Sequence, residues 1–415
     1  MKAAAFPLLL ALASALAGAI LLNGVLFALA LMPLVFVAAG ALAAPPAPQL
    51  RVTRQLAASR VSVGQPVEVV LEVSNDGPTL QALRIDDQLP AGAWLVDGQP
   101  WAVVRLAAGA SLTLRYRIAA RRGLHRYDVV RCRAEEATGL FPALAVVHAE
   151  ARLLVVPEVP RLPPIVFRPR RTRVFAGLAP ARQDGAGIDM LGVRPYQPGD
   201  PARRINPRAS ARRDDAWYVT ELEQERVADI GIIIDARARA DVRRGGDSLF
   251  EHSIGAAAAL SSAFLQRGDR VGVLLYGNAI EWIMPGYGAV QRERLLRAFA
   301  RAATGERAAL ERFDEIPLRL FPARSQLIVI SPLLPGDAAT LVRMRGRDRH
   351  VLVIVPDPVD FEHPAAATVA STLARAEHAL LVRQISRAGI PLLTWPVATP
   401  FARVVAAAFA RGGLR

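Results

Sequence analysis

Lysine is almost missing. Lys2 is the only one, although the chain carries 51 cationic residues and a formal net charge of +14. That absence removes two chemistries. A Walker A phosphate loop ends in Gly-Lys-Ser/Thr and cannot be written here, and no lysine is placed to form a catalytic Schiff base. Neither a Gly-x-Ser-x-Gly elbow nor a His-Glu-x-x-His pair occurs, so two common hydrolase signatures are also missing. Cysteine occurs once, at Cys132 in a strand-like stretch. This excludes an intrachain disulfide and reads as a half-buried structural thiol. Charge is absent altogether from Ala3 to Ala44.

That uncharged run is about twice the roughly 20 residues that cross a bilayer as a helix. Two spans fit it, residues 3–22 and 25–44, with the turn at Asn23-Gly24. A secretory signal is the competing reading, because Ala41-Leu42-Ala43 resembles a cleavage site, but its apolar region would be only about 7 to 15 residues. Basic residues flank both outer ends, Lys2 before and Arg51, Arg54 and Arg60 after. A hairpin in a bacterial inner membrane, with the remainder in the cytoplasm, satisfies the positive-inside rule. Residues 1–48 are thus a transmembrane hairpin and a Pro-rich spacer, Ala44-Pro45-Pro46-Ala47-Pro48.

Residues 49–157 alternate apolar and polar, as in Val67, Val69, Leu71 and Val73 against Glu68 and Glu72. Turn signals such as Asp97-Gly98 and Arg122-Gly123 recur at short intervals, which predicts a β-sandwich module of around seven antiparallel strands. Residues 158–228 read as a connector, and the stretch 157–187, rich in Pro, Arg and Gly, is expected to be irregular. From 229 to 415 the pattern changes. Ile230–Ile234 is a continuous apolar run, expected of a strand buried on both faces, and further strands are expected at Val271–Tyr276, Ile280–Met284, Leu327–Ile330, Val351–Val355 and Pro391–Trp395. Helices are expected between them, the last at Ala365–Arg387 with Val369, Leu373, Ala376 and Leu380 on one stripe. Strand and helix in alternation imply an α/β domain with a doubly wound, mostly parallel sheet and ligands at the strands' carboxyl ends.

The connector contains the most charged stretch of the chain, residues 184–225. Gln197-Pro198-Gly199-Asp200 fits a type II turn, Pro fixing φ and Gly supplying the positive φ. Arg194, Arg203, Arg204, Arg208, Arg212 and Arg213 could clasp a phosphate or an acidic partner. Alternatively they pair internally with Asp200, Asp214, Glu221, Glu223 and Glu225, and the near balance of signs favours the internal network. Arg168, Arg170, Arg171 and Arg173 form a second basic run. It lacks a series of aromatics for stacking bases, which argues against nucleic acid.

These residues resemble the domain-of-unknown-function-58 family. The resemblance rests on Arg194, Tyr196, Pro198, Gly199, Asp200, Arg204, Asn206, Ala209, Ala211 and Arg212, followed by an acidic strand with Glu221 and Glu225. Arg122-Gly123, Gly139-Leu140-Phe141 and Val156-Pro157 resemble that family's β module. The resemblance implies two membrane helices, a β-rich module and a von Willebrand factor A-like domain, and it implies a MoxR-type AAA+ ATPase as partner. Two departures stand out. Pro207 replaces a tryptophan, removing an aromatic anchor and a backbone donor. Where such a domain would bind Mg²⁺ through Asp-x-Ser-x-Ser, this chain reads Asp235-Ala236-Arg237-Ala238-Arg239, and Ser331-Pro332 stands where a later loop often offers an Asp. Arginine cannot ligate a cation, so no metal is expected at this degenerate site, and Arg237 or Arg239 would pair with Asp235 or meet a partner's carboxylate.

Asp357, Asp360, Glu362 and His363 have ligand types at close spacing, but a solvated loop capping the following helix accounts for them better. No cofactor is implied. The expectation is a non-enzymatic, membrane-anchored scaffold whose α/β domain meets a protein partner at its strand ends, with Asp235 and the family residues above as candidates. The alternatives are an arginine-driven binder of lipid headgroups or nucleic acid, and a hydrolase with an unrecognised site.

Overall fold

The computed structural model describes residues 2–136, 138–163, 173–184, 190–212, 216–277, 279–305, 313, 316–322, 325–346, 350–363 and 368–410; the side chains of 2–3, 173–184, 190–191, 222–227, 346 and 409–410 are outside that description. Two compact units divide the chain, Met1–Val156 and Pro157–Arg415.

The first unit begins with helices α1 (Lys2–Ile20) and α2 (Gly24–Leu42). Asn23 caps α2, its side chain accepting from the Val25 amide at 2.9 Å. Gly18 lets the two helices approach, since a β-carbon there would meet the Phe27 ring at 2.8 Å. By length and composition α2 can cross a membrane, with mean hydropathy 2.6; the apolar part of α1, Ala4–Ile20, is shorter.

Nine strands follow: β1 (Leu50–Leu56), β2 (Arg60–Ser62), β3 (Val67–Asn75), β4 (Leu80–Asp86), β5 (Ala93–Gly98), β6 (Trp101–Leu106), β7 (Ser111–Ala120), β8 (Gly123–Glu135) and β9 (Ala143–Val156). They form two sheets, β1-β3-β7-β5 and β2-β9-β8-β4-β6. All pairs are antiparallel except β2 with β9, which departs from the all-antiparallel expectation. β2 spans only three residues, too short to show a period, so only its partner reveals it. Two apolar clusters draw on both sheets, one around Leu71, Leu83, Ile85 and Val130, the other around Val69, Tyr116, Ile118 and Leu153. Cys132 lies fully inside the first rather than half-buried, and burial pushes its thiol up to about 11. Between the sheets the Arg54 guanidinium meets Asp87 at 2.5 Å, both side chains buried, and the Tyr116 hydroxyl donates to Asp87 at 2.6 Å. Burial, reinforced by Asp87, raises the Tyr116 hydroxyl far above its ordinary value.

In the second unit, Arg173–Asp184, within the stretch expected to be irregular, forms strand β10, which pairs with β12 (Tyr218–Val227), the acidic strand expected from the sequence; β11 (Met190–Pro195) completes a sheet in the order β10-β12-β11. Gly177 and Pro180 hide β10 from a local reading, because its structure comes from pairing with β12, as at Pro180 opposite Glu225, and strand preference follows such context. The short helix α3 (Pro207–Ser210) lies between β11 and β12.

The remaining elements are β13 (Asp229–Asp235), β14 (Arg243–Arg244), β15 (Asp247–Ser248), α4 (Leu249–Gln266), β16 (Arg270–Tyr276), β17 (Ile280–Gly286), α5 (Gly288–Arg301), β18 (Gln326–Ile330), α6 (Asp337–Gly346), β19 (His350–Pro356), α7 (Pro358–Glu362), α8 (Val369–Arg387), β20 (Leu392–Trp395) and α9 (Phe401–Ala410). Six strands build one sheet in the order β17-β16-β13-β18-β19-β20, parallel except for the edge strand β17. β13 is buried throughout, and apolar clusters cover both faces of the sheet. Gly231 is needed in it, since a β-carbon there would strike the Phe321 ring at 2.4 Å. The chain leaves β13 for β16 on one side and returns to β18 on the other, which puts the reversal of strand order between the carboxyl ends of β13 and β18.

α8 departs from expectation in two ways. It starts at Val369, capped by Thr368, whose side chain accepts from the Ser371 amide at 3.1 Å. Its apolar stripe faces outward: Val369 is 88% exposed, Leu373 59% and Leu380 62%. The inward face uses Ser371 and Ile385 instead.

Candidate functional site

At the reversal of strand order, β13 ends in Asp235 and the chain turns through Arg237. The Arg237 guanidinium lies against Asp235, with Nε to Oδ1 at 2.8 Å and Nη2 to Oδ2 at 2.7 Å. On its other edge it meets Asp337 at the start of α6, Nη1 to Oδ1 at 3.1 Å and Nη2 to Oδ2 at 2.6 Å. Ser331, just past β18, donates from Oγ to Asp235 Oδ2 at 2.7 Å. The guanidinium carbon stands 4.1 Å from the centre of the Phe313 ring, a cation–π geometry. None of Asp235, Arg237, Ser331 and Asp337 is more than 4% exposed.

Local backbone shape makes the cluster possible. Gly277, with φ of 152°, passes so close that a β-carbon would sit 2.2 Å from the Ala236 carbonyl carbon and 2.3 Å from the Arg237 nitrogen. Leu333 takes a positive φ of 66°, costly for a branched side chain. Its amide thereby donates to Ser331 Oγ at 3.0 Å, and the next amide, Leu334, to Asp337 Oδ2 at 2.8 Å. Burial acts against the Arg237 charge, yet its bonds to Asp235 and Asp337 raise its pKa above the ordinary value. Burial pushes the Asp337 carboxyl up, more than Arg237 offsets.

Of the two outcomes open to Arg237, the structure shows internal pairing; the buried guanidinium is not presented to a partner. Arg239 lies exposed on the following turn. Asp337 escapes a sequence reading because it is 102 residues from Asp235. The signal available was an acidic residue just after Gly336, at the first turn of the helix that follows a buried strand.

A second cluster assembles the family residues. Gln197 to Asp200 is a turn closed by the Asp200 amide donating to the Gln197 carbonyl at 3.0 Å, with Gly199 at φ of 107°. Arg194 grips both Asp200 oxygens at 2.7 Å, and its Nε lies 3.3 Å from Glu221 on β12. The Arg194 hydrogen bonds, helped by the Gln197 amide, lower Asp200 to about 2. Asn206 caps α3, accepting from the Ala209 amide at 3.1 Å, while its Nδ2 donates to Thr220 at 3.1 Å. Pro207 is the first helical residue, where no amide is needed and the fixed φ suits the helix. The loss of a backbone donor inferred from the sequence therefore has no cost here. Arg204 is half-buried near Asp200, whereas Tyr196, Pro198 and Arg212 are exposed. The Glu223 and Glu225 side chains, Arg213, Asp214 and the basic run from Arg168 to Arg173 lie outside the described residues or side chains.

The acidic loop resolves into a cap. The Asp357 side chain accepts from the Val359 and Asp360 amides at 2.9 and 3.0 Å, capping its own short helix α7 rather than α8. Among the described residues no group of three or more His, Cys, Asp or Glu side chains is arranged to hold a metal ion.

Comparison with solved structures gives a CARDB domain from Pyrococcus furiosus in complex with di-metal ions, at 18% identity over 27% of this chain and 96% of that one, with a TM-score of 0.19. The cupredoxin domain of amoB from Nitrosocaldus yellowstonii is 10% identical over 29% of this chain and 95% of that one, with a TM-score of 0.20. At such scores neither likeness carries an argument. No curated protein matches the chain. Residues 192–388, from within β11 to beyond the end of α8, match the family model described as protein of unknown function DUF58, and over that region the chain belongs to this family.

Proposed function

We propose that the protein is a non-enzymatic, membrane-anchored docking protein. In this reading α1 and α2 form a two-helix transmembrane hairpin, β1 to β9 a β-sandwich, and the second unit a von Willebrand factor A-like domain in the cytoplasm that binds a protein partner. The partner class is an AAA+ ATPase of the MoxR type. The observation that carries the reading is the outward apolar stripe of α8: Val369, Leu373 and Leu380 stand in water beside Arg375 and Arg383, where a core helix would bury them. The stripe is tied to the strand ends, because His378 of the same helix contacts the Pro332 carbonyl at 3.0 Å, next to Ser331.

The residues at the strand ends do not fit the divalent cation that such a domain implies. Arg237 already bridges the carboxylates of Asp235 and Asp337, and a hard cation would need those oxygens. No metal step is assigned. The cluster supports a structural role, fixing the β18–α6 turn on which α8 rests.

The test is affinity purification of the full chain from detergent extracts, comparing wild type with Leu373→Asp/Leu380→Asp. Selective loss of an AAA+ ATPase from the double variant, with its thermal unfolding unchanged, is the expected result. Equal recovery from both would overturn the proposal.

A further inference from the structure

The outer face of the five-stranded sheet in the first unit presents two lateral rows of side chains. Registers place Val103, Arg84, Arg133 and Leu144 side by side across β6, β4, β8 and β9. The next row is Trp101, Asp86, Arg131 and Val146. The four apolar members are exposed, from 44% at Trp101 to 72% at Leu144. Arg84 and Arg133 are directly opposed, an arrangement of like charges that weakens a sheet in water. The carboxylates beside these two rows are Asp86, opposite Arg131, and Glu135, which lies 2.6 Å from Arg133; Glu150 and Asp128 lie exposed further along β9 and β8. Arg84 also stands 5.9 Å from the Trp101 ring centre. Apolar and aromatic residues interleaved with arginine match the boundary of an anionic bilayer, where the rings and aliphatic chains enter the headgroup layer and the guanidinium groups meet phosphate.

The position of this face relative to α2 points the same way. The β8–β9 connection packs on the last turn of α2: Gly40 is buried, and a β-carbon there would lie 2.6 Å from Thr138 Oγ1 and 3.4 Å from both Leu140 and Phe141. Leu144 follows three residues after Phe141, about 10 Å along an extended chain. If α2 spans the membrane, the sheet face starts within reach of the headgroups.

We propose that this face is a second membrane contact, which holds the β module against anionic lipid; the proposal rests on the reading of α2 as a membrane span. It is tested on the full chain in lipid nanodiscs, of phosphatidylcholine alone or with added phosphatidylglycerol. In a Cys132→Ser background, single substitutions Val103→Cys, Leu144→Cys and, on the opposite sheet, Thr113→Cys carry an environment-sensitive fluorophore. With phosphatidylglycerol, the labels at 103 and 144 shift to the blue and are quenched by doxyl lipids, while the label at 113 is not. Each of Arg84→Gln and Arg131→Gln lowers the lipid-bound population about fivefold, and salt lowers it further. Labels at 103 and 144 that behave like that at 113 overturn the proposal while leaving the anchor intact, since the protein remains in the disc. Protection that depends on protein concentration rather than lipid charge also overturns it and assigns the face to a second copy. Failure of the chain to enter discs at all would overturn the anchor reading instead.

Discussion

Replacing Arg237 by alanine tests the strand-end cluster most severely. The substitution leaves Asp235 and Asp337, each 4% exposed, facing one another without the cation that both contact. Breaking a buried ion pair by removing one partner costs about 3–5 kcal/mol, because the remaining charge is uncompensated. For a unit of this size that corresponds to a fall in melting temperature of about 6–20 °C. The loss is pH-dependent, and its sign follows from the carboxyls. In the variant the folded pKa of Asp337, already raised by burial, rises further above the unfolded value once Arg237 no longer offsets it, so the stability this carboxyl supports is present below the unfolded pKa and lost as pH rises through the folded one. The variant should therefore lie furthest below wild type near neutral pH and recover as the pH falls towards about 4, the ordinary carboxyl value. Differential scanning fluorimetry of the full chain in detergent gives the midpoint, and hydrogen exchange of β13 and β18 peptides assigns the change to this site. Adding Asp337→Asn to Arg237→Ala should restore part of the loss. A variant within about 1 kcal/mol of wild type at neutral pH, with no pH dependence, would refute the buried bridge.

Gly277→Ala should destabilise the same region by about 1–3 kcal/mol or more through overpacking against Ala236 and Arg237, visible as faster exchange in β16 with the β module unaffected. Asp87→Ala should cost the first unit about 3–5 kcal/mol by stranding the buried Arg54, read as increased exchange in β1 and β4. In the family segment, Asp200 titrates at about 2 instead of 3.8. Its lowered pKa contributes stability that is present above 3.8 and lost as pH falls towards 2. At about pH 3, between those two values, pepsin should accordingly cut the 196–204 segment faster in Arg194→Gln than in wild type, and equal rates would remove Arg194 as the cause. Asn206→Ala should cost about 0.5–2 kcal/mol as a lost cap, seen as faster exchange of the amides in α3.

Much of this was legible in the chain itself. Continuous apolar runs such as Ile230–Ile234 have no polar face to expose, so burial on both sides was forced, and the alternation of Val67 to Val73 could bury only one face of a strand. The type II turn at Gln197–Asp200 followed from Pro and Gly chemistry, and the family was readable from identities spaced around it. Asp235 with arginines two and four residues on already offered the ion pair that Arg237 makes. What sequence could not supply was pairing across distance. β10 exists because β12 lies beside it, and the direction of the α8 stripe depends on which face the sheet leaves open. The partner that completes the Arg237 bridge, Asp337, arrives from the far side of the strand-order reversal. Local side-chain chemistry determines which groups must be buried or bent, whereas the tertiary fold alone decided which buried charge would meet which, because that depends on strand order and not on neighbours in the chain.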